Sequence, residues 1–277
     1  MPPNEAAAAR DVEARAFSYD AGVVGPAFAR MIAVEDPVQF VVGGSPFAVM
    51  MATPGDLVDF AYGFLFTEGV VDRPEDIRGV GIEEICEGWR IDVAVAGERL
   101  KAHLARRRAI SGRTGCGLCG VEDLAQLQRL PRKPFAARPV EPAAIGAALA
   151  ALEARQPLNA LTHAVHAAAW CGLDGRIALA REDVGRHNAL DKAIGALWRA
   201  GVDARDGFFL ITSRCSFEMV TKAAMFGATT LVALSAPTSL ALAKAREFGI
   251  SIVAVARADR ALSFAGDRPA TRGGLAA

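Results

Sequence analysis

The chain has 277 residues, of which 52% are hydrophobic and 22% are charged. This apolar fraction is too high for a disordered chain, and the length allows one large hydrophobic core or two small ones. The 31 basic residues equal the 31 acidic ones. Proteins that bind nucleic acid normally carry a basic excess, so we expect no nucleic-acid partner.

The N-terminal segment and the cysteines indicate the cellular compartment. Residues 1–20 are rich in alanine and polar side chains without a sustained hydrophobic period, which predicts a flexible tail. They contain no basic region followed by an apolar one, and no later run approaches the roughly 20 apolar residues of a membrane span. The five cysteines are scattered and do not resemble a secreted disulfide framework. We therefore expect a cytoplasmic protein without a membrane segment.

A small α+β domain is predicted for residues 21–130. Thr53-Pro54-Gly55-Asp56 has the composition of a helix start, in which Thr53 caps the helix. The residues that follow repeat apolar side chains every three or four positions, which is typical of an amphipathic helix. The predicted elements are a hairpin at 38–42 and 47–51, a helix from 57 to 68, strands at 89–95 and 100–104, and a helix at 121–130.

A larger α/β domain is predicted for residues 143–277, after a proline-rich linker at 131–142. Its elements follow the order α-β-β-α-β-α-β-α-β. This alternation implies crossover connections and a mixed sheet with a hairpin at one side, similar to the cytidine-deaminase architecture. The predicted helices are 143–155, 188–198, 217–226 and 240–248, and the predicted strands are 162–170, 176–181, 207–212, 230–234 and 251–256.

Cys116 and Cys119 are the first candidates for chemistry. They lie in the glycine-rich stretch 111–120, which is unsuited to a helix or strand and predicts a mobile loop at the end of the first domain. Arg113 and the predicted helix start after Cys119 both favour the thiolate, the reactive form of cysteine. The pattern predicts a redox, metal-binding or sulfur-handling pair, and the alternative is two incidental thiols.

A zinc site would require His163 and His166 to join these cysteines. The separation from Cys119 is several times the roughly 12–15 residues found between ligand pairs in zinc fingers, and two residues three apart in a strand face opposite sides. A zinc deaminase would also need H-x-E and P-C-x-x-C, which His166-Ala167-Ala168 and Ser213-Arg214-Cys215-Ser216 do not provide. We therefore predict no bound metal, with His163 in the core and His166 lining a pocket.

Polar side chains cluster where predicted strands give way to helices, the position at which open α/β sheets bind ligands. In the stretch 181–192, a helix start with Arg186 and Lys192 is suited to a phosphate, and Asp183 to a base or sugar. A solvated helix cap with ion pairs is the alternative for any one residue. Three such junctions indicate one edge for an extended phosphorylated ligand. The candidates are His166, Asp183, Arg186, His187, Asn188, Lys192, Ser213, Arg214, Lys222, Ser235, Thr238 and Ser239.

Six motifs, between residues 35 and 260, resemble the FdhD family of formate dehydrogenase accessory sulfurtransferases. The resemblance implies a relay in which a cysteine desulfurase passes sulfur to the loop cysteines. The protein then delivers the sulfur to the molybdenum bis(molybdopterin guanine dinucleotide) cofactor that formate dehydrogenase requires. The motifs are TPGDLVDFAYGFLFTEGV, GRTGCGLCG, HAVHAAAW, REDVGRHNALDK, SRCSFEMVTKA and LVALSAPTSLA.

Residue roles follow from this resemblance. Cys116 would carry the persulfide, and Cys119 would help to release the sulfur. The C-terminal domain would bind the cofactor as a client. Its residues 255–260 match the segment with which the family binds the guanine dinucleotide. The alternatives are a non-catalytic scaffold for formate dehydrogenase and a zinc protein of deaminase-like fold; a homodimer is compatible with the apolar composition. The segment 255–260 consists of Val255, Ala256, Arg257, Ala258, Asp259 and Arg260.

Overall fold

The computed structural model describes residues 8–20, 22, 24–97 and 138–265. Over these ranges the chain forms a two-stranded ribbon, a four-stranded sheet and a six-stranded mixed sheet. Several predicted features lie outside the described residues: the cysteine loop at 111–120, the strand at 100–104, the helix at 121–130 and most of the linker.

The first two strands correct the prediction of a flexible tail. Strand β1 (Ala9–Phe17) pairs with β2 (Val24–Ala33) in an antiparallel ribbon that hydrogen-bonds to no other strand among the described residues. Alanine and charged residues have weak β propensity, so the sequence of β1 carries little strand signal. Pairing with β2 supplies the hydrogen bonds that define the strand.

The four-stranded sheet confirms the predicted hairpin and the strand after residue 88. The sequence analysis missed one further strand of this sheet, β5 (Ile77–Ile85), which contains two glycines and two exposed glutamates. Helix α1 (Leu57–Thr67) covers the sheet and packs Phe60 edge-on against Phe40, with ring centroids 5.1 Å apart. In spatial order the strands are β4 (Ser45–Ala52), β3 (Asp36–Val42), β6 (Gly88–Val95) and β5 (Ile77–Ile85).

The start of α1 differs from the prediction. The residue that precedes the helix is Asp56, with a left-handed backbone at φ 53°, and Thr53 lies three residues further upstream. Thr53 is buried and directs its hydroxyl to the backbone of Val184 instead of to its own helix. A contact 131 residues away thus replaces the predicted local cap.

The six-stranded sheet confirms the predicted mixed α/β fold. In spatial order the strands are β12 (Leu262–Ala265), β11 (Ser251–Ala254), β10 (Thr230–Ala233), β9 (Gly207–Ile211), β7 (His166–Gly172) and β8 (Ile177–Asp183). Strands β9, β10 and β11 are parallel, β7 runs antiparallel to both of its neighbours, and β7–β8 forms the hairpin at one side. The remaining helices are α2 (Pro142–Leu152), α3 (Pro157–Thr162), α4 (Arg186–Arg199), α5 (Phe217–Phe226) and α6 (Ser239–Phe248).

The prediction for His163 is wrong. The short helix α3 occupies the start of the predicted strand, and His163 ends it with φ 54° and an exposed side chain. Pro157 starts this helix, because its ring suits a first turn. Strand β7 therefore begins only at His166, and the two histidines do not share a strand.

One hydrophobic core joins the two predicted domains. Helix α1 packs against α4 so closely that a Cβ on Gly63 would lie 1.7 Å from the backbone oxygen of Asp191, and a Cβ on Gly195 would lie 1.9 Å from that of Asp59. Only glycine permits this approach. The same core continues to the face of the six-stranded sheet that α5 and α6 cover. The opposite face of that sheet packs on α2. Division into separate folding units stays a prediction.

Candidate functional site

One edge of the six-stranded sheet collects the predicted ligand residues. The parallel strands β8, β9, β10 and β11 end there, and the antiparallel β7 begins there, so that His166 pairs with Asp183. The backbone confirms the alignment, since the amide of Leu234 donates to Ile211 (3.0 Å) and that of Ala256 donates to Ala233 (3.2 Å). We call this the carboxyl edge; it consists of His166 and residues 183–188, 212–217, 234–239 and 255–260.

The predicted ligand residues divide into two layers. A buried layer has at most 3% of its surface exposed, and an outer layer is partly or fully exposed. The buried residues are Asp183, Asn188, Lys192, Ser213 and Ala256. The outer ones are His166, Arg186, His187, Arg214, Ser235, Thr238, Ser239, Val255, Arg257, Ala258, Asp259 and Arg260.

The buried layer is organised around Asp183. One carboxylate oxygen accepts from Lys192 Nζ (2.6 Å) and from the amide of Thr53 (3.1 Å). The other accepts from the amide of Gly185 (2.7 Å) and from Asn188 Nδ2 (2.9 Å). Four donors satisfy this buried carboxylate, as a buried charge requires. We call these residues, together with Val184, the Thr53 cluster.

The cluster joins the two halves of the chain. Lys192 Nζ also donates to the carbonyl of Thr53 (2.8 Å), the amide of Val184 donates to Thr53 Oγ1 (3.2 Å), and Asn188 Nδ2 donates to the carbonyl of Met51 (2.8 Å). Sequence reasoning identified Asp183, Asn188 and Lys192 as polar candidates but missed Thr53. No local pattern could have found it, because its partners in the cluster lie 130 or more residues away.

The outer layer, in contrast, contains buried polar atoms that have no hydrogen-bond partner among the described residues. They are Arg186 Nε, Ser216 Oγ and His187 Nε2, the last of which lies 4.0 Å from Glu218 Oε2. Arg186 and His187 open helix α4, and Ser216 precedes α5. A helix N-terminus favours negative charge, and a buried polar atom without a partner is costly. An anion at this position would satisfy both conditions.

The two histidines of the edge are neutral near pH 7. Burial lowers the pKa of His187 to about 4, assisted by the positive charges of Arg186 and Lys222, while Glu218 opposes the shift. Burial also lowers the pKa of His166, followed by the effects of Arg186 and Arg214. The arginines therefore provide the positive charge of the edge, and the neutral imidazoles can donate or accept hydrogen bonds.

The segment after β11 has a strained backbone. Val255 has φ 53°, in the left-handed region that β-branched residues rarely adopt. Its amide donates to the carbonyl of Ser235 (3.2 Å), and Arg257 Nη1 donates to the carbonyl of Leu234 (2.6 Å). The structure therefore ties the predicted guanine-dinucleotide run to the junction after β10. Strain of this kind is concentrated at functional sites.

Lys222 does not reach the surface as an anion contact would. Its ammonium group lies 2.8 Å from Asp191 Oδ2 and 2.9 Å from Thr67 Oγ1, and Thr67 Oγ1 lies 2.8 Å from Asp191 Oδ1. This second buried ion pair connects α1, α4 and α5. The sequence-based assignment of Lys222 to the ligand is therefore wrong for the structure described, where the side chain is paired internally.

The described cysteines differ in reactivity. Cys171 and Cys215 are buried, and burial raises the pKa of each thiol to about 12. Neither forms a thiolate at neutral pH, so neither is suited to carry sulfur. Cys86 is exposed at the turn between β5 and β6. Cys116 and Cys119 lie outside the described residues.

Two further searches cover only the part of the chain that the structure describes. Within it, no group of three His, Cys, Asp or Glu side chains is placed to hold a metal ion. No helix in that part combines the length and the apolar character needed to cross a bilayer.

These features define a mixed-sheet α/β protein whose carboxyl edge is suited to an anionic ligand. The chain belongs to the FdhD/NarQ family, because residues 33–269 match the model of that family. This confirms the resemblance seen in the sequence motifs.

Two relatives and one solved structure agree with this assignment. The chain is 49% identical over 227 residues to the sulfur carrier protein FdhD of Xanthomonas axonopodis pv. citri, a match that covers 82% of this chain and 81% of the relative. It is 43% identical over 243 residues to the protein of the same name from Bordetella petrii, with 87% of each chain covered. The crystal structure of a formate dehydrogenase accessory protein from Desulfotalea psychrophila superposes with a TM-score of 0.73 at 25% identity, covering 93% of this chain and 97% of that one.

Proposed function

We propose that this protein is a sulfur carrier for formate dehydrogenase. It takes sulfur from a cysteine desulfurase as a persulfide on Cys116 and delivers it to the molybdenum bis(molybdopterin guanine dinucleotide) cofactor. The single observation that carries the proposal is the match to sulfur carrier proteins over 82% of the chain. The relay needs both loop cysteines as free thiols, which a reducing compartment maintains, so the proposal places the protein in the cytoplasm.

The environments of the cysteines indicate which of them is suited to carry the sulfur. The buried thiols of Cys171 and Cys215 have pKa values near 12 and no access to a donor protein. Cys116 lies three residues after Arg113 and is flanked by glycines. A neighbouring arginine favours the thiolate, and glycines leave room for an approaching protein. The exposed Cys86 has no such sequence context and serves as the natural control.

The loading step is a nucleophilic transfer. The Cys116 thiolate attacks the terminal sulfur of the desulfurase persulfide. The sulfur–sulfur bond of the donor breaks, the desulfurase cysteine leaves as a thiolate, and a new sulfur–sulfur bond forms on Cys116. One sulfur atom moves, and the step requires no external oxidant or reductant.

Cys119 provides the release step. Its thiolate attacks the inner sulfur of the Cys116 persulfide, which forms a Cys116–Cys119 disulfide and expels the outer sulfur as hydrosulfide for the molybdenum centre. This is thiol–disulfide exchange with sulfide as the leaving group. A cellular dithiol then reduces the disulfide and restores both thiols.

The carboxyl edge is the proposed binding surface for the nucleotide-tailed client. Arg186 and Arg214 carry positive charge, and within the described part of the chain Arg186 Nε, His187 Nε2 and Ser216 Oγ have no hydrogen-bond partner. The pyrophosphates of the client are suited to these groups and to the helix N-termini. The strained run from Val255 to Arg260 is the proposed contact for guanine.

Mass spectrometry tests the relay directly. After incubation with a cysteine desulfurase and cysteine, the peptide that contains Cys116 should gain about 32 Da, the mass of one sulfur atom carried covalently. Cys116→Ala should abolish the gain on that peptide, whereas Cys86→Ala, which removes the exposed cysteine of the β5–β6 turn, should leave it intact. Absence of the adduct from both loop cysteines would refute the proposal.

The activity of formate dehydrogenase in cells distinguishes a sulfur relay from a scaffold that only binds the client. In cells that carry the Cys116→Ala variant, formate dehydrogenase should lack activity even though the variant protein is folded. Full activity in those cells would instead support a scaffold that binds the client without passing sulfur. Cys86→Ala is the matched control and should support normal activity.

A further inference from the structure

We propose that Thr53 is a positioning residue for the carboxyl edge: its hydroxyl and backbone hold the segment Val184–His187 in the conformation that binds the client. This inference rests on the proposed function, because it concerns the affinity of the same edge for its anionic ligand. Thr53 lies in the half of the chain that precedes the cysteine loop. It would thus make ligand binding in one half depend on the other.

Each polar group of Thr53 bonds to the second half of the chain, and its carbonyl also accepts from the amide of Gly55 (2.8 Å). Its amide donates to Asp183, its carbonyl accepts from Lys192, and its hydroxyl accepts from the amide of Val184. Only 1% of its surface is exposed. A residue between a strand and a helix normally bonds within its own turn. Thr53 makes one such bond, to Gly55, and its three long-range bonds in addition attach it to the junction after β8.

Further contacts restrict the backbone of the segment Val184–His187. The amide of Gly185 donates to Asp183 Oδ1 (2.7 Å), and helix α4 begins at the next residue. A Cβ on Gly185 would lie 2.6 Å from Asn188 Nδ2, so the backbone passes directly over the cluster. The amide of Val184 donates a hydrogen bond to the Thr53 hydroxyl (3.2 Å). Without that bond, the half-buried Val184 would lose the partner of its amide, and the segment would shift to recover one.

The positions of Arg186 Nε and His187 Nε2 depend on the backbone of this segment. Arg186 and His187 follow Gly185, and their Nε and Nε2 atoms form no hydrogen bond with any residue that the structure describes. A charge-assisted hydrogen bond to a ligand weakens steeply when its donor is misplaced, since distance and angle both matter. A shift of Val184 should therefore reduce ligand affinity beyond any general loss of stability.

A matched pair of threonine variants tests the inference. Thr53→Val removes the hydroxyl and keeps the shape of the side chain. Thr67→Val makes the same change at the C-terminal end of α1, where the hydroxyl is bonded to Lys222 and Asp191 and the residue is also buried. Thr53→Ser restores the hydroxyl. The probe is guanosine diphosphate, with affinity measured by calorimetry on the full chain and stability measured by thermal unfolding.

We expect Thr53→Val to weaken guanosine diphosphate binding about tenfold, the factor that corresponds to one buried donor left without a partner. Thr53→Ser should recover most of the affinity. Thr67→Val should lower the melting temperature by a similar amount with less than a twofold change in affinity. Equal affinities for the Thr53→Val and Thr67→Val proteins, or no recovery in Thr53→Ser, would overturn the inference.

Hydrogen exchange provides a readout that does not need the ligand. The amide of Val184 should exchange faster in Thr53→Val than in the parent and the Thr67→Val protein. Unchanged protection at Val184 would overturn the inference by itself. If the parent protein does not bind guanosine diphosphate, the proposed ligand of the edge is wrong, and the exchange rates still decide whether Thr53 holds the segment.

Discussion

The two layers of the carboxyl edge differ in whether their buried polar atoms form hydrogen bonds. In the buried layer, the carboxylate of Asp183 accepts four hydrogen bonds, and Thr53 uses each of its polar groups. In the outer layer, further along the same chain segment, Arg186 and His187 each have a buried nitrogen with no hydrogen bond to the described residues. A protein normally satisfies its buried polar atoms, so the difference separates groups that build the site from groups that await a ligand.

The largest expected effect comes from breaking the buried layer. Lys192→Met should lower the free energy of unfolding by about 3–5 kcal/mol, because it leaves Asp183 as a buried charge without its cation. Urea unfolding followed by circular dichroism measures the change. The double variant Asp183→Asn with Lys192→Met is the control and should recover part of the loss. A loss below about 1 kcal/mol in the single variant would mean that the pair does not stabilise this layer.

The next effect is a pH dependence from the outer layer. The pKa of His187 is about 4 in the folded protein, against 6.5 for an ordinary histidine. The unfolded chain therefore binds more protons between these values, and the folded state loses stability as the pH falls from about 6.5 to about 4. His187→Gln should reduce this slope in urea unfolding measured across that range.

His163→Gln is the control for the pH experiment, because His163 is exposed at the end of α3. It should leave the slope unchanged. An identical slope in the parent protein and His187→Gln would contradict the assignment of a depressed pKa to His187.

A smaller effect should separate affinity from stability in the outer layer. Arg186→Gln should weaken guanosine diphosphate binding about tenfold, the typical loss for a hydrogen bond to a charged group, while changing the free energy of unfolding by less than about 0.5 kcal/mol. Arg176→Gln, at the exposed turn between β7 and β8, is the matched control. Calorimetry and thermal unfolding measure the two quantities. A large loss of stability with unchanged affinity would assign Arg186 to the buried layer.

The smallest expected effect concerns the strained backbone of Val255. Val255→Gly should raise the free energy of unfolding by about 0.5–1 kcal/mol, because glycine adopts a φ of 53° without steric cost. Val255→Ala keeps the strain and loses packing, so it should not be stabilising. Differential scanning calorimetry can resolve the two. A decrease in stability for Val255→Gly would show that lost packing outweighs the relief of strain.

Local periodicity was sufficient to predict much of the second half. The apolar runs at β9, β10 and β11 and the amphipathic helices between them follow the predicted order, because each needs one face or both faces buried whatever its partner. The clustering of polar residues at strand ends was also predictable, since parallel strands align their carboxyl ends. What failed was the assignment of individual roles, as with His163 and Lys222.

The sequence by itself determined the alternation of strands and helices, the polar junctions and the family motifs, because these depend on spacing within a few residues. Only the tertiary structure decided that the Thr53 hydroxyl bonds to Val184 instead of capping α1, that β1 is a strand, and which junction residues are buried. Burial and long-range hydrogen bonds depend on which segments meet in space. A residue and its partner 130 positions away leave no local pattern from which their contact could be read.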